Sequence, residues 1–180
     1  MLATLPDRRH RGVGYALKLA QRARCLDQGI PIVRWTFDPL MSRNAHFNLA
    51  KLGATADRFL PNFYGEMTDT LNRGERSDRL VVRWDLEADL DRAPAEAKGF
   101  EVLGRHGDEA LPSPTYVRTP ISAPALIRIP REYHDLREHD RGLADAWRDA
   151  AARAFEDCFD AGLVVTGYAS DATYVLAEPA

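Results

Sequence analysis

The chain has 180 residues, of which 45% are hydrophobic and 28% charged, with a formal net charge of −3 at pH 7. That length and apolar share suit one compact unit with its own core, and no stretch reads as a membrane span or a signal peptide. The two cysteines, Cys25 and Cys158, lack metal-ligand spacing and are expected to be small buried apolar residues in a reducing cytoplasm.

Charge is more informative by region. Residues 1–86 carry 14 Lys and Arg against 9 Asp and Glu, whereas residues 87–180 carry 10 against 18. Six of the basic residues lie between Arg8 and Arg24. A local basic turn suits a polyphosphate ligand better than a nucleic-acid duplex, which calls for a broad basic face.

In chain order, Met1 to Leu5 reads as the end of a strand closed by Pro6. Arg8, Arg9, Arg11, Gly12, Val13 and Gly14 follow as a basic glycine turn. A helix is predicted from about Gly12 to Gln28, with Val13, Ala16, Leu17, Ala20 and Ala23 as its apolar stripe. Lys18, Arg22 and Arg24 are then left to solvent, and Gly29 stops the helix. Strand, glycine turn and helix N-terminus together make an anion site, because first-turn N–H groups are unpaired and glycine admits close approach. A P-loop is excluded, since Tyr15 and Ala16 stand where its lysine and hydroxyl residue belong. A dinucleotide fingerprint is excluded by the missing third glycine.

Ile30 to Phe37 reads as a β-branched and aromatic strand ended by Asp38-Pro39, completing a βαβ unit with parallel strands. A second helix runs from about Ser42 to Leu52 and stops at Gly53. Ala54 to Tyr64 should hold another strand, Leu71 to Gly74 a turn, and Asp78 to Leu86 the clearest strand of the chain.

The hexapeptide Arg9-His10-Arg11-Gly12-Val13-Gly14 is similar to the (Gln/Arg)-x-x-Gly-x-(Gly/Ala) signature of the GNAT acyltransferases. Around the second helix, Ala45, Lys51 and Gly53 match that family's Asn-x-x-Ala-x-x-Leu-Tyr-x-Lys-x-Gly-Phe pattern. Ser42 departs from its Asn, Asn48 and Leu49 from its Leu-Tyr pair, and Ala54 from its Phe. Over residues 1–86, strand, turn and helix, strand, short helix, strand and strand resemble the second half of the GNAT fold. The wording RWTFDPL, RNAHFNLAKLGA and FYG resembles a bacterial branch of predicted GNAT proteins.

This resemblance implies that an acyl-CoA pyrophosphate sits on the turn, with Leu2, Thr4, Arg9, His10, Arg11, Gly12, Val13, Gly14, Tyr15, Ala16 and Asn44 as cofactor contacts. It implies CoA-dependent N-acyltransfer, with acetyl-CoA or another short acyl-CoA such as succinyl-CoA, to a small amine or amino acid, without a metal. It also implies that the front half of the family domain is missing here, as in a fragment, a misassigned start or a truncated gene. An exposed sheet edge would then be open to homodimer pairing. The family's proton-donating tyrosine is replaced by Leu49, which cannot donate.

Tyr64, expected on the strand after the second helix, and His46, within that helix, are the candidates to replace it. A half-buried strand tyrosine and a surface histidine are the plainer readings. Asn48 could hold the pantetheine arm or thioester, or simply face solvent. Trp35 and Asp38 could shape an amine pocket, or be a core aromatic and a turn-forming Asp before Pro39. Asn44 could bond the helix start or the cofactor.

Residues 87–123 are rich in Pro, Gly and charge and read as an irregular linker. Residues 124–180 read as a strand (Ala125–Ile129), a helix (Asp140–Ala161) and a hairpin (Leu163–Ala169 and Thr173–Ala177, turning at Ser170-Asp171). In the helix, Leu143, Trp147, Ala150, Ala151, Ala154, Phe155, Cys158 and Phe159 form the apolar stripe, with Arg141, Asp145, Arg148, Asp149 and Glu156 on other faces. His134 and His139 are expected at the surface. The whole is expected to be an α/β protein with a GNAT-like mixed sheet, the appended unit covering or extending it. A catalytically defective GNAT-like module that binds CoA or a protein partner without turnover is the rival expectation.

Overall fold

The computed structural model describes residues 12–65, 76–91, 93–118 and 121–179. The expected strand at Met1–Leu5, its parallel pairing and the turn at Leu71–Gly74 lie outside these residues. The chain divides into two compact units, residues 1–33 with Asp85–Asp89, and Arg34–Trp84 with Leu90–Ala180.

In the smaller unit, helix α1 spans Val13–Asp27, within a residue of the range that periodicity predicts. Its orientation differs from expectation. Val13, Ala16, Leu17, Ala20 and Ala23 are all exposed, and the half-covered side carries Tyr15, Lys18, Leu19, Arg22 and Cys25. Arg22, expected in solvent, donates through Nε to the carbonyl of Leu86 at 2.7 Å and through a terminal nitrogen to that of Ala88. Charge-assisted bonds to free carbonyls turn this face inward, a contact that apolar spacing does not register. Leu86 also donates its N–H to Pro31.

The larger unit is α/β and is built on a mixed sheet. Eight strands, β1 (Ile32–Phe37), β2 (Thr55–Leu60), β3 (Arg79–Asp85), β4 (Phe100–His106), β5 (Ser113–Tyr116), β6 (Ala125–Arg128), β7 (Val164–Ala169) and β8 (Thr173–Ala177), stand in the order β1-β3-β2-β7-β8-β6-β4-β5. The first two residues of β1 and the last of β3 reach into the smaller unit. β2 pairs antiparallel with β3 and with β7, β7 with β8, β8 with β6 and β5 with β4, while β4 and β6 run parallel. β3 shows strict alternation, with Leu80, Val82 and Trp84 buried, as a strand with one face in the core requires.

Three elements, β4, β5 and a short helix, depart from the sequence reading. β4 and β5 fall inside the segment expected to be an irregular linker. β4 buries Val102, Leu103 and Gly104 consecutively, so its pattern has no period of two, and β5 is only four residues long with a proline in it. A short helix α3 (Tyr133–His139) precedes the long one, with His134 and His139 exposed as expected.

Helix α2 (Ser42–Ala45) continues directly into a π turn, His46–Lys51. Helix α4 (Arg141–Asp160) starts on the Asp140 side chain, which accepts the N–H of Leu143 at 2.9 Å. It packs on β2, β4, β5 and β6. Phe155 lies in the centre of that contact, stacked with Phe59 and edge-on to Tyr174. Leu143 and Phe159 are only half-buried, whereas Arg148, expected on an outer face, is 3% exposed. It forms a two-point ion pair with Asp38 at 2.8 and 3.1 Å, and its guanidinium lies 5.0 Å from the Tyr133 ring centre. No helix among the described residues is long and apolar enough to cross a membrane.

Removing one partner of a buried ion pair strands the other charge, so Arg148→Met should cost about 3 kcal/mol, the lower end because Asp38 keeps some exposure. Urea unfolding at constant slope measures it, and adding Asp38→Asn should recover part of the loss. A loss below about 1 kcal/mol, the scale of a surface pair, would show that solvent already carries the charges.

Candidate functional site

Gly12 caps α1 in the left-handed conformation, with φ 73°, and its carbonyl accepts the N–H of Ala16 at 3.0 Å. A side chain at this φ is strained by about 1–2 kcal/mol, which explains glycine here. Among the described residues, a Cβ here would meet nothing within 4 Å. No side chain among them caps the helix, and its first turn has no acidic residue. The first N–H groups, at Val13, Gly14 and Tyr15, carry the positive end of the helix dipole. Lys18 lies one turn on, its pKa lowered by burial and partly restored by the Cys25 thiol. Leu2, Thr4, Arg9, His10 and Arg11 lie outside the described residues. Val13 and Ala16 are exposed, and Gly14 and Tyr15 half-buried.

The remaining candidates belong to the larger unit. Asn44 lies inside α2, not at its cap, which is Met41, and it is exposed. His46 opens the π turn, exposed, with partial desolvation and then Lys51 lowering its pKa. The wide turn closes with Leu52 donating to Phe47 and Ala54 donating to Asn48. Such turns recur where a helix carries function. Leu49 is buried in the core at 3% exposure. Asn48 beside it is 5% exposed, which overturns the solvent-facing alternative.

Tyr64 is not on a strand. β2 ends at Leu60, Pro61 cannot continue the ladder, and Asn62 takes φ 46°, so the chain turns before reaching it. The tyrosine is 56% exposed, edge-on to Phe63, with the Arg79 guanidinium 5.0 Å from its ring centre. Arg79 also lies 3.8 Å from Asp38, so Tyr64 and Asp38 meet at this arginine. Asp38 is otherwise spent: it pairs with Arg148 and accepts the Leu40 N–H at 2.9 Å. Trp35 is half-buried with its ring edge-on to Trp84. Asp38 makes the turn before Pro39 that the sequence allows, and Trp35 is less buried than a core aromatic. Among the described residues, no group of three or more His, Cys, Asp or Glu is placed to hold a metal ion.

Sequence reading missed the burial of Arg148. Its signal is its place on the buried stripe of α4, which runs through Ala144, Trp147, Arg148 and Ala151 at helical spacing. No family model, curated protein or solved structure matches the chain.

The cysteines differ in access. Cys158 is fully buried, and burial first, then Asp157, pushes its thiol up to about 12, while Cys25 is partly exposed. A disulfide reagent at mildly alkaline pH should therefore titrate one thiol rapidly in the native chain and the second only after denaturation. Equal rates for both would contradict the burial of Cys158.

Proposed function

We propose that the chain is a GNAT-type, CoA-dependent N-acyltransferase that moves a short acyl group, acetyl or succinyl, onto a small amine or amino acid. The observation that carries the reading is the start of α1. Gly12, within the Arg9–Gly14 signature, takes a left-handed φ at the start of a helix with no side-chain cap among the described residues, and a helix N-terminus opened by glycine suits a pyrophosphate. The succession of α1, β1, the α2–π helix, β2 and β3 agrees with the element order that the resemblance implies.

In the reaction a neutral amine attacks the thioester carbonyl, a C–N bond forms, the C–S bond breaks and CoA leaves as a thiolate. A thiol pKa of about 8.5 makes that departure tolerable without a strong acid, so Leu49 in place of a donor does not end the chemistry. Holding amine and thioester together supplies about 7–11 kcal/mol, which makes positioning the main contribution. Asn48 is the candidate for holding the thioester or pantetheine arm, and His46, whose pKa desolvation and Lys51 lower, is a candidate for proton transfer. Tyr64 is the other proton-transfer candidate, although its outward turn weakens the case.

Titration calorimetry with CoA, acetyl-CoA and succinyl-CoA tests the reading. Micromolar binding is expected, lost when Gly12 and Gly14 are both replaced by valine while circular dichroism stays unchanged. Undiminished affinity in the folded double variant would remove the site from α1. Asn48→Ala and His46→Ala should lower turnover more than CoA affinity. Binding by the native chain with no turnover on any amino acid would favour a cofactor-binding module, the reading that the buried Leu49 supports.

A further inference from the structure

The turn between β7 and β8 is held by arginines from distant parts of the larger unit. Arg105 on β4 donates to the Asp171 carbonyl at 2.7 Å, and Arg131, just before α3, donates to the adjacent Ser170 carbonyl at 3.4 Å. Two guanidiniums thus sit on consecutive carbonyls of one tight turn. Among the described residues neither forms an ion pair, and each commits only one hydrogen bond.

The nearby carboxylates are taken by a third arginine. Arg128 on β6 donates to Glu101 and to Asp171, and at 3.1 Å to the Thr173 hydroxyl. Gly104 makes this possible, because a Cβ there would collide with the Glu101 carboxylate where it crosses β4. Three arginines therefore face two carboxylates, and the surplus positive charge falls on Arg105 and Arg131. The pKa of Arg105 is lowered, by burial first and then by Arg131, with Asp171 opposing and Arg128 adding to the fall. Tyr168, which is coupled to both arginines, stays neutral: burial pushes its phenol up to about 12, and its hydroxyl donates to Ser42. Surplus guanidinium charge, part-buried at Arg105 and exposed at Arg131, is a cost that an oxyanion would offset, and the planar fork of arginine fits phosphate or carboxylate oxygens.

We propose that Arg105 and Arg131, held on the β7–β8 turn, form a binding site for the phosphate or carboxylate group of a small molecule. The site lies in the larger unit and needs nothing from the α1 turn.

Amide and arginine Nε resonances of the full chain, followed in nitrogen-15 spectra during titration with inorganic phosphate and separately with succinate, test it. Saturable shifts are expected at Ser170, Asp171, Ala172 and the two arginines, weakening as sodium chloride rises. The tighter of the two anions names the oxyanion. Arg131→Gln, at an exposed position, should keep the native spectrum and weaken binding about tenfold, the scale of one charge-assisted contact. Arg105→Gln/Arg131→Gln should abolish it, whereas Gly12→Val should leave these shifts intact. No saturable shift at the turn with either anion, or unchanged affinity in Arg131→Gln, would overturn the proposal.

Discussion

The pairing of Arg148 with Asp38 joins positions 110 residues apart and decides how the larger unit is assembled. Asp38 closes β1, and Arg148 lies in the second turn of α4, so the bond ties the sheet's terminal strand to the helix that covers the sheet. Taking both charges out of water is expensive, and the pair is worth keeping only with good geometry and additional partners. Both conditions are met. The contact is two-pronged, Tyr133 offers its ring face to the guanidinium, and Asp38 also accepts the Leu40 N–H. The next residue, Pro39, accepts the Tyr174 hydroxyl at 2.6 Å. Arg76 extends the network by binding Asp78, Asp149 and the carbonyl of Arg148. The chain therefore leaves β1 along a fixed path, with Leu40 fully buried, and enters α2 and the π turn from an anchored start.

The same ion pair limits what Asp38 can do. A carboxylate that holds a buried arginine cannot give up that partner for an incoming ammonium without leaving the arginine unpaired, a loss of several kcal/mol. Helix α1 presents the opposite situation. Its half-covered side is chosen by the polar reach of Arg22 to the Leu86 and Ala88 carbonyls, and its apolar side, Val13 and Leu17 included, is left exposed.

What can be read from the sequence depends on how many residues share one signal. The alternation of β3, the hairpin of β7 and β8, and the length of α4 each rest on five or more residues in register, and all three are present. The left-handed φ of Gly12 is not read from the sequence, which starts the helix at that residue and explains the glycine by close approach alone. β4 and β5 are not, since their burial depends on neighbours in the sheet rather than on their own spacing. Charge alone puts Arg148 on an outer face, although its position continues the buried stripe. Aromatic content puts Tyr64 on a strand only when it is weighed above the proline three residues before it.

The π turn separates packing from chemistry at two neighbouring positions. Asn48 and Leu49 are buried to nearly the same degree, in one turn. Leu49 fills core space and needs no further explanation. A polar atom left unmet in a core costs about 1–3 kcal/mol, a demand that an amide makes and a leucine does not. Packing alone therefore accounts for Leu49, whereas Asn48 brings a polar group into the same space. Asn48→Leu is thus the change in this turn that separates a packing role from a polar one, since it keeps the volume and removes the amide.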